Sequence, residues 1–214
     1  MKFKNVLFDL DGTLTDPFEG ITNSIVYALR KFGIEVEDKR ALLPFIGPPL
    51  FNSFREIYGF SAADAEKAVK LYREYFAEKG IFENRVYEGV LTLLHNLEAE
   101  GKTLILATSK PEPFAEKIVK HFEIDRYLRH IAGATFNSER CEKPDVIRYA
   151  LEKAQITELD ETVMVGDRKY DILGAKANGI KSVGVLYGYG TKEELIGAGA
   201  DYLALTPQDI IELT

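Results

Sequence analysis

Short apolar runs alternate with amphipathic segments over most of the chain. The runs have the length of buried strands, and they occupy residues 6–8, 103–107, 131–134, 162–165, 182–186 and 202–205. From the second run onward, the segments between them show the 3.6-residue periodicity of helices. Apolar strands joined by amphipathic helices are typical of a parallel sheet that is covered on both faces. The pattern therefore predicts an α/β fold.

The alternation is interrupted once, directly after the first run. Residues 17–85 contain helical periodicity and no convincing strand. We therefore expect an α/β core made of residues 1–16 and 86–214, with residues 17–85 inserted as a helical cap, or lid.

Several residues mark where the helices of this insertion begin and end. Asp16 is the predicted N-cap of the first helix, with Pro17 as its first residue. Three prolines within residues 42–49 indicate a rigid apolar loop. Gly59 is expected to end a short helix, and Ser61 to begin the next one.

Composition and charge exclude several classes of protein and of partner. The chain has 214 residues, of which 46% are hydrophobic and 29% charged, and its net charge is −7. This acidic balance, without a long basic run, argues against nucleic acid or an anionic membrane as partner. No apolar segment has membrane-spanning or signal-peptide length, and Cys141 is the single cysteine, which suits a reducing compartment. We expect a cytoplasmic protein, monomeric or dimeric.

The first apolar run delivers two acids, Asp9 and Asp11. Alternate residues of an extended segment project to the same side, so these two carboxylates are expected to crowd one another. Crowded carboxylates resist ionising together unless a cation lies between them. Gly12 lets the backbone turn away after the pair. The stretch therefore indicates a site for a hard cation such as Mg²⁺, although acids that merely cap the following turn fit it too.

Two later strands end in polar residues as well. Thr108 and Ser109 follow the second apolar run, and Asp167 follows the fourth. The carboxyl ends of parallel strands meet at one edge of a sheet, where ligands bind. Lys143 precedes a proline that suits the first turn of a helix, where a lysine would either meet an anion or be a solvated loop residue. Asp171, one helical turn beyond Asp167, can add a carboxylate or serve as a first-turn helix acid.

These residues together resemble the four motifs of the haloacid dehalogenase-like hydrolases. The motifs are DLDGTLTD at residues 9–16, Thr-Ser at 108–109, Lys-Pro at 143–144 and GDRKYD at 166–171. Order and spacing agree over essentially the whole chain. The resemblance implies a Rossmann-like core, and the insertion resembles the helical cap of the phosphoglycolate phosphatase-like branch.

The resemblance also implies a reaction. Asp9 would be the nucleophile that forms an aspartyl-phosphate, and Asp11 the general acid and base. Mg²⁺ would be bound by Asp9, the Asp11 backbone carbonyl and Asp167, with Asp171 in support. The predicted activity is a Mg²⁺-dependent phosphatase acting on a small phosphorylated metabolite.

The resemblance places further residues at the substrate. Thr108, Ser109, Lys143 and the backbone near Gly12 would bind the phosphoryl oxygens, and Arg55 of the cap would contact the rest of the substrate. The lid would close over the site and exclude water.

Gly188 and Gly190 follow a strand but lack the third glycine of a dinucleotide-binding fingerprint, so the sequence does not indicate a dinucleotide site there.

The identity of the substrate stays open at this point. The branch slightly favours phosphoglycolate, whose carboxylate would need a cation from the group Arg55, Lys110, Arg168 and Lys169. A 5′-nucleotidase or a broad-range sugar-phosphate phosphatase is the alternative. The cap carries four aromatic and apolar residues near its loop: Phe45, Ile46, Phe51 and Phe54. They would either stack on a nucleobase or form the cap's own core, and we prefer the second interpretation.

A rival from another class is a phosphoacceptor signalling switch. Such domains also combine an acceptor aspartate, Mg²⁺, a threonine and a lysine on a parallel sheet. Their aspartyl-phosphate persists and recruits a partner. Asp11 and the predicted lid both favour turnover instead.

Overall fold

The computed structural model describes residues 3–136 and 139–214. The chain forms two compact units, one made of Met1–Asp16 with Val86–Thr214 and the other of Pro17–Arg85. No helix among the described residues is long and apolar enough to cross a membrane.

Strands and helices alternate through the first unit. The strands are β1 (Asn5–Phe8), β2 (Thr15–Asp16), β3 (Arg85–Val86), β4 (Thr103–Pro111), β5 (His130–Ala134), β6 (Thr162–Gly166), β7 (Lys181–Val185) and β8 (Tyr202–Ala204). Among the described residues of both units, the α-helices are α1 (Phe18–Arg30), α2 (Leu50–Tyr58), α3 (Ala62–Tyr75), α4 (Val90–Ala99), α5 (Glu112–His121), α6 (Lys143–Lys153), α7 (Lys169–Ala177), α8 (Lys192–Ala198) and α9 (Pro207–Leu213).

A six-stranded sheet of order β5-β4-β1-β6-β7-β8 forms the centre of the first unit. All five neighbouring strand pairs are parallel. Val6 and Phe8 project to the face opposite Leu7, and all three side chains are fully buried, so both faces of the sheet are covered. The α/β fold class predicted from the sequence is confirmed.

The register of β1 decides where the site lies. Phe8 is aligned with Leu106 of β4 on one side and with Val165 of β6 on the other. The chain order reverses at β1, which creates the crevice where ligands bind in open α/β sheets. The residues just beyond these three positions therefore meet at one edge.

Three local predictions were wrong. Pro17, not Asp16, caps α1, and no side chain accepts a hydrogen bond at that cap. Asp16 belongs to β2, and its carboxylate instead accepts a hydrogen bond from the Tyr189 hydroxyl. Strand β4 continues through Thr108 and Ser109 rather than ending before them. Within the predicted loop 42–49, the first residues belong to a 3₁₀ turn, Lys39–Phe45.

The second unit is built from helices around its own aromatic core. Phe54 packs edge-on against Phe45, with ring centroids 5.0 Å apart, and stacks on Phe60 at 5.8 Å. Phe45, Ile46 and Phe54 are at most 1% exposed. These side chains contribute to the packing of residues 17–85, as the preferred interpretation of the sequence had it. Phe51 remains half-buried, with the Arg55 guanidinium over its ring.

Two helix boundaries in this unit lie where the sequence predicts them. Gly59, with φ of +67°, follows the last residue of α2. Ser61 caps α3, and its hydroxyl oxygen accepts a hydrogen bond from the Asp64 backbone amide at 3.1 Å.

Replacing Ser61 by alanine is expected to lower the free energy of unfolding by about 1 kcal/mol, because the amide loses its acceptor. Denaturant unfolding followed by circular dichroism measures the change. Ser61→Thr keeps an acceptor oxygen and should lose clearly less stability. Equal losses in both variants would show that the cap is not the cause.

Candidate active site

Asp9 and the turn after it form the first part of the site. The Asp9 amide donates to the Val165 carbonyl of β6 at 2.9 Å, which fixes Asp9 at the end of β1. Gly12 has φ of +85°, a conformation that L residues rarely adopt, and a Cβ there would overlap the Asp167 carboxylate. Glycine at position 12 therefore lets the turn approach Asp167.

Lys143 connects three segments of the core. It is the first residue of α6, and its ammonium lies 2.9 Å from Asp9 Oδ1 and 2.8 Å from Asp171 Oδ1. It also donates to the Ala107 carbonyl of β4 at 3.3 Å. Burial alone lowers the pKa of Lys143, but the carboxylates of Asp171 and Asp9 outweigh burial and raise it. Lys143 is thus held as a buried cation.

Three carboxylates cluster beside this cation. One oxygen each from Asp9, Asp167 and Asp171 lies within 4.8 Å of the others. Asp167 Oδ2 accepts a hydrogen bond from the Tyr189 amide at 2.8 Å, and Asp171 Oδ2 accepts one from the Arg168 amide at 3.0 Å. Asp167 Oδ1 is buried without a hydrogen-bond partner among the described residues.

Burial and crowding shift the titration of this cluster. Burial, and after it the charges of Asp171 and Asp9, raise the pKa of Asp167 well above its usual range. Burial also raises the pKa of Asp171, to about 6, although Lys143 opposes the rise. More negative charge is buried here than one lysine balances.

This cluster fits a divalent cation. Its donors are carboxylate oxygens, which Mg²⁺ prefers, and Asp167 Oδ1 has an unused acceptor position. Asp9 and Asp171 each contact Lys143 through Oδ1, whereas Asp167 has no such contact with this lysine, so Asp167 Oδ1 is the best placed ligand atom of the three.

The part of β4 that carries Thr108 and Lys110 lies beside the same site. Thr108 is almost fully buried, and its hydroxyl oxygen accepts a hydrogen bond from the Lys110 amide at 3.3 Å. The Lys110 ammonium forms an ion pair with Asp11. Burial raises the pKa of Asp11, and Lys110 counteracts part of that rise.

The family model of the haloacid dehalogenase-like hydrolases matches residues 6–185 of this chain. The chain belongs to this family. The resemblance inferred from the four motifs is thereby confirmed.

Named relatives within the family differ in activity. A 5′-nucleotidase of Pseudomonas aeruginosa is 46% identical over 91% of this chain and 88% of its own length. The tyrosine-protein kinase PtkA of Mycobacterium tuberculosis is 41% identical over 86% of this chain, which spans only 62% of that protein. A phosphoglycolate phosphatase of Vibrio parahaemolyticus is 28% identical over 98% of this chain and 95% of its own length.

Solved structures agree in fold. The crystal structure of a predicted phosphatase from Clostridium acetobutylicum matches with a TM-score of 0.94 and 46% identity, covering 99% of this chain and all of that one. This chain is a phosphatase of the haloacid dehalogenase-like family.

The cationic residues predicted to contact the substrate lie in different surroundings. Lys110 lies inside the core site beside Asp11. Arg168 donates to Glu194 at 2.9 Å, which directs it into an ion pair, and Lys169 is exposed. Arg55 is exposed on α2 in the second unit, and its role at the substrate stays a prediction, as does that of Ser109.

Sequence reasoning missed two contributors to the site. It treated Lys110 only as a candidate counterion for the substrate, because nothing local shows that the side chain reaches Asp11. It also set aside residues 187–190, since their glycines do not form a nucleotide-binding fingerprint. The position of this segment directly after a strand was the available signal, because β7 ends at the same edge of the sheet.

Proposed function

We propose that this phosphatase hydrolyses a nucleoside 5′-monophosphate through an aspartyl-phosphate formed on Asp9. The observation that carries the proposal is the convergence of Asp9, Lys143 and the acids of the GDRKYD motif at one edge of the sheet. The 46% identity to a 5′-nucleotidase supports the choice of substrate over the phosphoglycolate that the sequence slightly favours.

In the first half-reaction, a carboxylate oxygen of Asp9 attacks phosphorus, and the bond from phosphorus to the ester oxygen breaks. Asp11 delivers a proton to the departing oxygen. In the second half-reaction, Asp11 takes a proton from water, which attacks the phosphoryl group and releases inorganic phosphate and free Asp9. One carboxyl group thus serves both half-reactions.

Lys143 and Thr108 stabilise the phosphoryl group in this scheme. The Lys143 ammonium already contacts the Asp9 carboxylate, so it lies beside the oxygens of a phosphate attached there. Thr108 adds a hydroxyl donor from within β4. Asp9, the Asp11 carbonyl and Asp167, with support from Asp171, would hold Mg²⁺, whose charge would offset the repulsion between the carboxylate and the phosphate. The lid role of residues 17–85 stays a prediction.

Phosphate release from a substrate panel tests the proposal. Nucleoside 5′-monophosphates, phosphoglycolate and sugar phosphates are compared at equal concentration, with MgCl₂ and with excess EDTA. We expect Mg²⁺-dependent turnover with kcat/KM at least about tenfold higher for one or more nucleotides, a difference of about 1.4 kcal/mol in transition-state stabilisation.

Each other outcome contradicts a defined part of the proposal. A preference for phosphoglycolate would contradict the nucleotide assignment alone. Comparable slow turnover of every ester would indicate a broad-range phosphatase. A stable phosphoprotein without steady-state release would indicate the signalling switch, and full activity in EDTA would exclude the role given to Mg²⁺.

A further inference from the structure

Residues 187–190, which we call the tyrosine–glycine loop, follow β7 and contact three other segments of the core. The sequence is Tyr-Gly-Tyr-Gly. The Tyr189 amide donates to Asp167 Oδ2 at 2.8 Å, and the Tyr189 hydroxyl donates to the Asp16 carboxylate. The Tyr187 hydroxyl donates to the Thr13 carbonyl at 3.0 Å. One short loop therefore contacts both the predicted metal ligand and the turn that follows the predicted nucleophile.

The two glycines of the loop allow this close approach. A Cβ on Gly188 would lie 2.7 Å from Asp167 Oδ2 and would overlap the Gly12 carbonyl. A Cβ on Gly190 would overlap the Asp167 carbonyl. Any larger residue at position 188 or 190 must displace the loop, Asp167 or the Gly12 turn.

We propose that the tyrosine–glycine loop is a positioning element that orients Asp167 for the divalent cation. Its amide occupies one carboxylate oxygen of Asp167, which fixes the rotation of the group and leaves Oδ1, buried and without a hydrogen-bond partner in the described chain, as the ligand atom. Outer contacts of this kind hold ligating carboxylates in place at metal sites.

The tyrosine hydroxyls attach the loop to the segment that follows Asp11. They attach the loop to the Thr13 carbonyl and the Asp16 carboxylate, so the loop ties Asp167 to the turn that begins at Asp11. The Tyr187 ring also packs edge-on against Tyr87 at 5.2 Å. The loop is thus supported from two directions. This inference rests on the proposed function only in assuming that Asp167 binds the cation.

Mg²⁺ binding to Gly188→Ala tests the inference. Isothermal titration of the full chain with MgCl₂, without substrate, gives the dissociation constant directly. We expect at least a tenfold weaker affinity than in wild type. Steady-state assays should show a raised MgCl₂ requirement and a kcat that recovers at least partly at saturating MgCl₂, which general loss of folding does not produce.

Gly197→Ala is the matched control, since a Cβ on this α8 residue meets no described atom within 4 Å apart from its chain neighbours and the helix's own backbone. Its Mg²⁺ affinity should equal that of wild type. Should Gly188→Ala fail to fold, the double variant Tyr187→Phe with Tyr189→Phe decides. It keeps the Tyr189 amide itself but removes the two hydroxyl bonds that hold the loop in place, so the amide should position Asp167 less well and Mg²⁺ binding should weaken at least threefold.

Two results separate the inference from the proposed function. The inference alone is overturned if wild type binds Mg²⁺ and the folded Gly188→Ala variant, or the double variant, binds it with unchanged affinity. Wild type that hydrolyses no phosphomonoester, while Gly188→Ala still weakens Mg²⁺ binding tenfold, supports the inference and overturns the proposed function. Wild type that binds no Mg²⁺ overturns the inference and the role given to Mg²⁺ in the proposed function, while hydrolysis of nucleotides is judged by the substrate panel.

Discussion

Asp9→Asn is expected to lower the rate of phosphate release at least about a hundredfold. The amide has the same shape as the carboxylate but lacks the anionic oxygen that attacks phosphorus. The fold should persist, because the Asp9 backbone bond to Val165 does not depend on the side chain and Lys143 keeps its contact with Asp171. Single-turnover and steady-state phosphate assays measure the rate.

Asp160→Asn is the matched control for this variant, because Asp160 is exposed in a 3₁₀ turn on the same unit. It should retain wild-type activity. Both variants should unfold at denaturant concentrations close to that of wild type. Activity in Asp9→Asn above about a hundredth of the wild-type rate would assign the nucleophile to another residue.

Lys143→Met is expected to impair both stability and activity. The side chain is 3% exposed and contacts two buried carboxylates, so its removal leaves buried negative charge without a partner. Loss of one member of such a buried pair costs about 3–5 kcal/mol of unfolding free energy. Denaturant unfolding without added Mg²⁺ measures this cost, because a bound cation would compensate for the missing ammonium.

Activity in the same variant should fall at least about a hundredfold, since the phosphoryl group loses its cationic donor. The double variant Lys143→Met with Asp171→Asn removes one of the two buried carboxylates that the single variant leaves without a cation. It should regain part of the lost stability while its activity stays low. An unchanged unfolding free energy in the single variant would contradict the electrostatic role given to Lys143.

Much of the architecture follows from local patterns in the sequence. The apolar runs predict the core strands, because a strand buried on both faces needs nearly continuous apolar residues. Gly59 and Ser61 mark helix ends, because their conformations and hydrogen bonds involve only neighbouring residues. The family, the fold class and the positions of the acids at strand ends could all be predicted on this basis.

Only the tertiary structure decided which polar side chains from distant segments pair with one another. The Asp16 carboxylate accepts a hydrogen bond from the hydroxyl of Tyr189, which is 173 residues away in the chain. This distant bond replaces the local helix cap that the sequence predicts for Asp16. Lys110 reaches Asp11 only because β4 lies beside β1. Local periodicity carries no information about such pairings, because they depend on the order and register of strands in the sheet.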